Sequence, residues 1–206
     1  MSRNNKGFSL IEISIVLIII SILVAGIIYG ASMIKNAKVT GFLVEVREYR
    51  TATAAFITKY DEIPGDSIKI VNSNLPDLTL LDAGNNNGII GDSTNDKGYL
   101  DKESYEFFKH LGAAGLIPFQ SNVPSSGNDL GSLNEITIGK TYPGTKLGTG
   151  YFFYIDSYDV YNLFESRNKL SVFNKTEGTK GIRGDLMKIL QSKVEGNTIF
   201  SEFSNE

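Results

Sequence analysis

The chain opens on a short polar head, Met1-Ser-Arg-Asn-Asn-Lys6, and then turns apolar. From Ile13 to Ile34 no residue carries a charge. A helix rising 1.5 Å per residue needs about 20 residues to cross a hydrocarbon core, so this stretch is long enough to span one. A secretory signal peptide has a shorter apolar run with a small-residue cleavage site behind it. No such site precedes Lys35, where charge returns. The pattern predicts a retained membrane helix rather than a signal peptide or the core helix of a soluble protein.

Beyond Lys35 the apolar positions become periodic. Val39, Phe42, Leu43, Val46, Tyr49, Thr53, Phe56, Ile57 and Tyr60 recur at steps of three and four, and Glu45, Arg47, Glu48, Arg50 and Lys59 fall largely between them. This spacing predicts one continuous helix from residue 8 to about residue 60, a rod of roughly 80 Å. Its outer half is amphipathic and must pack on a globular partner, and Pro64-Gly65-Asp66 is expected to stop it.

Residues 61–206 read as an α+β head rich in loops. Residues 67–81 look loop-like, and residues 82–92 form a Gly/Asn/Asp loop. Lys102 to Leu116 reads as a helix with Tyr105, Phe108, Leu111 and Leu116 on or near one face, ending in the glycines at 112–115. A strand is expected near Glu135–Ile138 within an otherwise irregular stretch. The aromatic run Gly150–Ile155 is the strongest strand signal and reads as the central strand of an antiparallel sheet. Residues 158–166 are ambiguous. A helix is expected over Asp185–Lys193, with Asp185 near its N-cap, and Thr198–Phe203 is expected to close the sheet. No internal repeat is apparent.

Composition narrows the chemistry. The chain has 206 residues and a net charge of −3, with 20 basic and 23 acidic residues. This length corresponds to one or two domains, and the charge excludes the broad basic face that nucleic-acid binding requires. There is no cysteine, so thiol nucleophiles, thiolate metal sites and disulfides are excluded. His110 is the one histidine. It excludes a His-rich metal site, and any Ser-His-Asp triad has to use it. It reads as a surface or half-buried side chain, and neither G-x-S-x-G, Walker A nor a dinucleotide fingerprint is present. The sequence therefore points away from an enzyme.

No cofactor is implied, and calcium is the one cation the pattern suggests. Asp82, Asn85, Asn87, Asp92 and Asp96 offer oxygen ligands, with Gly84 and Gly88 allowing tight turns. The spacing fails the EF-hand pattern: with Gly88 as the turn glycine, Ala83 opens the loop and Thr94 closes it. A structural loop is the stronger reading.

Glu12 stands alone at the mouth of the apolar helix. A mid-membrane acid costs about 3 kcal/mol, and less near the edge. Such a residue usually has a function and a partner. Alternatively it sits at headgroup level and benefits from the helix N-terminus.

The residues around it carry a resemblance. Lys6-Gly7-Phe8-Ser9-Leu10-Ile11-Glu12, behind a basic head and ahead of a membrane span, resembles the class III signal of type IV pilins and type II secretion pseudopilins. The resemblance implies that a membrane peptidase cuts between Gly7 and Phe8, that Phe8 is then N-methylated, and that Glu12 guides methylation and assembly. It implies a cleaved leader at 1–7, a transmembrane and assembly helix at 8–34, its amphipathic continuation at 35–60, and a periplasmic or extracellular head at 61–206. The implied partners are copies of itself or related pilin subunits, prepilin peptidase, the inner membrane and an assembly platform; no nucleic acid is expected. The positive-inside count is a tie, Arg3 and Lys6 against Lys35 and Lys38. The resemblance, not the charge, therefore places the N-terminus in the bacterial cytoplasm and the head in the periplasm, and later on a filament at the cell surface.

Within the span, Ser14, Ser21, Ala25 and Ser32 share one face and Gly26 and Gly30 form a Gly-x-x-x-Gly pair, small residues that let helices approach in lipid. In a filament, Glu12 of one subunit could meet the Phe8 ammonium of its neighbour. The Pro64-Gly65-Asp66 exit and the helix end Ala114-Gly115-Leu116-Ile117 are similar to blocks in pilin-like proteins. The chain departs from the best-known subgroups: it has no proline in the span, no C-terminal disulfide loop and no compact acidic calcium-binding C-terminus. The expected function is a structural subunit of a type IV pilus or type II secretion filament. The alternatives are a minor or priming subunit, or a membrane-tethered periplasmic binding domain or enzyme.

Overall fold

Helix α1 runs unbroken from Leu10 to Tyr60, 51 residues, because no proline occurs before Pro64 and the isolated glycines are too few to break it. The computed structural model describes residues 7–71, 81–90, 100–121, 130–156, 169–176, 178–180, 182, 185–186 and 188–190. The chain divides into two units, residues 1–38 and 39–206.

In the first unit the helix is exposed on all sides, with only Gly30 partly covered. An 18-residue window reaches a mean hydropathy of 2.9 with none of it buried, which by length and composition suits a membrane span. Two of its serines turn their hydroxyls back onto the helix. Ser14 Oγ donates to the Ile11 carbonyl at 2.9 Å and Ser21 Oγ to the Leu17 carbonyl at 2.7 Å.

The second unit has a long helix, a short helix and a small sheet. Helix α2 spans Lys102–Ala113. A 3₁₀ turn follows at Leu133–Glu135. Strands β1 (Tyr151–Asp156), β2 (Lys169–Asn174) and β3 (Thr179–Lys180) form an antiparallel sheet in the order β1-β2-β3. Tyr151 pairs with Asn174 and Asp156 with Lys169, while Asn174 also pairs with Thr179. The fold is α+β, as expected.

The core is aromatic. Val39, Phe42, Val46, Ala52, Phe56 and Tyr60 are the buried positions of α1. Phe42 stacks on Phe153 at 5.4 Å, and Tyr49 meets Phe153 and Phe108 edge-on at 5.0 and 5.5 Å. The chain of rings continues from Phe108 to Tyr142, Phe152 and Phe173. Each such pair adds about 0.5–1.5 kcal/mol beyond its buried area. The 143–147 segment is tied to α1 where the Lys146 side chain lies over Gly41 and Lys146 N–H donates to Glu45 at 2.9 Å.

Several expectations are corrected. Ile57 is exposed, and Ala52 takes its place in the buried stripe. Helix α1 ends at Tyr60, where expected, but the stop is not Pro64-Gly65-Asp66: Asp61 adopts a left-handed φ of 55°, and turns follow. Residues 135–138 do not form a strand; the 3₁₀ turn occupies their start, and Ile138 makes one isolated bridge to Tyr142. Among the described residues, strand β1 lies at the edge of the sheet, with β2 in the centre. Neither β2 nor β3 was expected, because their polar flanks hide the alternation. Helix α2 is buried on every side from Glu103 to Gly112, not on one face. It stops at Ala113 in a Schellman motif, with Leu116 N–H to the Leu111 carbonyl and Gly115 N–H to the Gly112 carbonyl, and Gly115 at φ 71°. Residues 185–186 and 188–190 are helical. The expected features at 158–166, at the end of Asp185–Lys193 and at Thr198–Phe203 lie outside the described residues.

Gly65 marks the tightest approach between the α1 exit and α2. Its φ is +87°, and an added Cβ would sit 2.4 Å from the Glu103 carbonyl oxygen. Both the conformation and the contact require glycine. Gly65→Ala is expected to cost at least ~2 kcal/mol, which thermal melting of the detergent-solubilised chain would read as a drop of roughly 4–8 °C.

Candidate functional site

The N-terminal site is built by the start of α1. Gly7, Phe8 and Ser9 precede the helix, and all are exposed. The Ser9 carbonyl accepts the first helical bonds, from Glu12 N–H at 3.1 Å and Ile13 N–H at 3.3 Å. Glu12 reaches back, and its Oε2 accepts Ser9 N–H at 2.8 Å. This is one half of a capping box, in which an acid on the first turn satisfies the amide at the N-cap. The carboxylate also faces the positive end of the helix dipole. Gly7, Phe8 and Glu12 thus stand together at one helix end, with the Gly7–Phe8 peptide outside the helix. Ser9 is the partner that sequence reasoning missed, although the Ser-x-x-Glu spacing of Ser9 and Glu12 was there to be read.

The Gly/Asn/Asp loop is a second cluster. Asp82, Asn85 and Asn87 share it, while Asp92 and Asp96 lie outside the described residues. Asn85 Oδ1 accepts Asn87 N–H at 2.9 Å, and Asn87 Oδ1 accepts Ile89 N–H at 2.8 Å. These amide oxygens shape the turn itself. Among the described residues, no three acidic or histidine side chains come together to hold a metal.

Helix α2 holds this loop against the α1 exit. Glu103 Oε1 accepts Asn85 N–H and Glu106 Oε2 accepts Asp82 N–H, both at 3.2 Å, while Lys102 Nζ donates to the Ala83 carbonyl at 3.1 Å. Glu106 also bonds Lys109 at 2.7 Å, and both side chains are almost fully buried. Burial pushes the Glu106 carboxyl above its usual range, against the pull of the Lys109 ammonium.

His110 is fully buried, contrary to the expected surface or half-buried position. Its Nδ1 accepts Gly65 N–H at 2.9 Å, and its Nε2 lies 2.9 Å from the Asp82 carbonyl. An imidazole that accepts at Nδ1 must carry its proton on Nε2, so the ring is neutral. Burial lowers its pKa to about 4; the Lys109 and Lys102 cations add to the shift, and Asp82 opposes it. No neighbouring nucleophile accompanies it among the described contacts. Its role is to join two loops.

A folded-state pKa below the unfolded value of 6.5 gives stability that is fully present above pH 6.5. That stability is lost as pH falls toward about 4. The contribution reaches about 3 kcal/mol at most. Glu106, raised rather than lowered, acts in the opposite sense, so the two must be separated by comparison. His110→Gln is expected to lower stability at neutral pH and to flatten the loss between pH 6.5 and 4 relative to the unmutated chain. Urea unfolding across that pH series measures both effects.

No curated protein and no solved structure gives a significant match to this chain. One family model does match, the prokaryotic N-terminal methylation motif, at residues 2–28. That motif indicates a structural subunit in general, processed by prepilin peptidase and assembled with related pilin subunits. Together with the apolar helix it indicates membrane anchoring. The segment that holds Gly7, Phe8 and Glu12 is therefore the signal of the type IV pilins and pseudopilins.

Proposed function

We propose that this chain is a structural subunit of a type IV pilus or type II secretion filament, cut between Gly7 and Phe8 and assembled through its N-terminal helix. The observation that carries the proposal is the methylation motif falling on a peptide bond that is exposed and lies ahead of the first helical residue, Leu10. A peptidase needs backbone that is free of helical hydrogen bonds, and Gly7–Phe8 meets that need.

The exposed apolar helix supports the same reading. Ile18, Leu23 and Ile28 are all at least half exposed. Lipid covers such a surface first, and neighbouring subunits replace the lipid on assembly. Cleavage creates an ammonium on Phe8, and methylation keeps its charge. In the filament Glu12 meets the Phe8 ammonium of a neighbour. An unpaired buried charge is far more costly than a paired one, so this pair sets axial register more than it adds stability. The N-terminus is cytoplasmic and the head periplasmic until assembly carries it outward. The 82–90 loop serves the head's structure, and the head carries out no catalysis.

In a host with prepilin peptidase, mass spectrometry of the membrane-extracted protein is expected to find a mature chain starting at N-methylated Phe8. A start at Met1 or Ser2, with the peptidase active on a control substrate, would overturn the proposal. Glu12→Gln and Glu12→Ala chains are expected to reach the membrane but to fail in filament assembly, scored by electron microscopy of sheared cell-surface material. Normal filaments from both variants would remove Glu12 from the assembly mechanism.

A further inference from the structure

The loop between α1 and α2 carries a reactive sequence that filament assembly does not use. Its exposed tip reads Asn85-Asn86-Asn87-Gly88, and Gly88 itself is half-buried. An Asn-Gly pair is prone to deamidation because glycine has no side chain to hinder attack by its own amide nitrogen. In that reaction Gly88 N loses its proton to hydroxide and attacks Asn87 Cγ. The new C–N bond closes a succinimide, the Cγ–Nδ2 bond breaks, and the side-chain amide takes a proton from water and leaves as ammonia. Water then opens the ring at either carbonyl to give aspartate or isoaspartate. No co-reactant besides water is needed.

Both reacting groups are held in the folded head. Gly88 N–H donates to Asp66 Oδ2 at 2.7 Å, and Asn87 N–H to Asp66 Oδ1 at 3.2 Å. The Asn87 side-chain oxygen is turned to Ile89 N–H. Asp66 is buried, and its own position is fixed. The Asp66 carbonyl accepts Asn86 N–H at 3.1 Å, and Gly84 packs so closely that an added Cβ would lie 2.2 Å from Asp66 Cα.

Two effects oppose ring closure. The Asp66 carboxylate disfavours a second negative charge on Gly88 N, as any like charge disfavours ionisation beside it. The Asn87 amide must also leave Ile89 N–H to reach the nucleophile. Burial is not the protection, since Asn87 is exposed.

We propose that Asn87–Gly88 is a deamidation site held unreactive by Asp66, reacting only when the 82–90 loop opens locally. The product places a second carboxylate, or an isoaspartyl backbone, beside buried Asp66, so an opening that ends in reaction is not reversed.

The test incubates the full chain in detergent at mildly alkaline pH beside a synthetic peptide spanning Asn85–Ile90. Peptide mass spectrometry follows aspartate and isoaspartate at position 87. In the folded chain Asn87 is expected to react at least about tenfold more slowly than in the peptide, and in urea at the peptide's rate. Asp66→Asn, which keeps the size but removes the charge and one of the two acceptors, is expected to raise the rate in the folded chain. Gly88 amide hydrogen exchange in the unmutated chain, expected to be slowed, provides a readout that does not require the variant to fold. Equal rates in folded chain and peptide would overturn the proposal. So would a folded Asp66→Asn chain with an unchanged rate, or Gly88 exchange as fast as in the peptide.

Discussion

Segments 61–71 and 81–90 form neither strand nor helix, yet Pro64 to Ser67 are buried, and their backbone groups need partners away from water. Glu62 and Asp66 supply some of these within the loops, and helix α2 supplies others. His110 joins Gly65 N–H to the Asp82 carbonyl, Glu106 takes Asp82 N–H, Glu103 takes Asn85 N–H, and Lys102 covers the Ala83 carbonyl. These bonds explain why a helix buried from Glu103 to Gly112 carries so many polar side chains. Each orphaned buried group would cost about 1–3 kcal/mol, so losing the polar side chains of α2 would loosen the loops it holds. The imidazole is the most constrained member, because its two bonds fix which nitrogen carries the proton.

The first unit has the opposite character. It has few polar side chains and an apolar surface that is exposed among the described residues. Its serines turn their hydroxyls back onto the helix, and Glu12 is satisfied by the Ser9 amide. Ser14, Ser21 and Glu12 find their partners locally, and the unmet need is burial of hydrocarbon. That division fits a helix that anchors the chain in a membrane.

Much of this was legible in the sequence. The long helix follows from its period and from the absence of proline. The methylation motif at residues 2–28 follows from Gly7, Phe8 and Glu12 in fixed order ahead of an apolar run. What escaped had physical causes. The burial of α2 was hidden because Glu103, Glu106, Lys109 and His110 look like a solvated face, and only the loops folded over them make them interior. The place of β1 at the sheet edge was hidden because its aromatic run is buried by α1, α2 and residues near Tyr142, not by strands on both sides. The stop at Asp61 came ahead of Pro64 because a left-handed aspartate ends a helix as well as a proline does. Ser9 was overlooked because the signal it belongs to drew attention to the charge at Glu12 and away from the amide that charge satisfies.

Strand β1 has one side bonded to β2, and its other side is occupied as well. Gly144 bridges Phe152, Phe153 N–H bonds the Pro143 carbonyl, Thr145 N–H bonds the Tyr151 carbonyl, and Ser104 Oγ bonds both backbone groups of Ile155. An open strand of this length and aromatic content is a template for pairing with another chain. Heads held at high local density, as neighbours in a membrane or a filament, would meet such a template continually. Closing it with a loop and a serine leaves β1 unable to recruit a foreign strand, so crowding does not turn into aggregation along that edge.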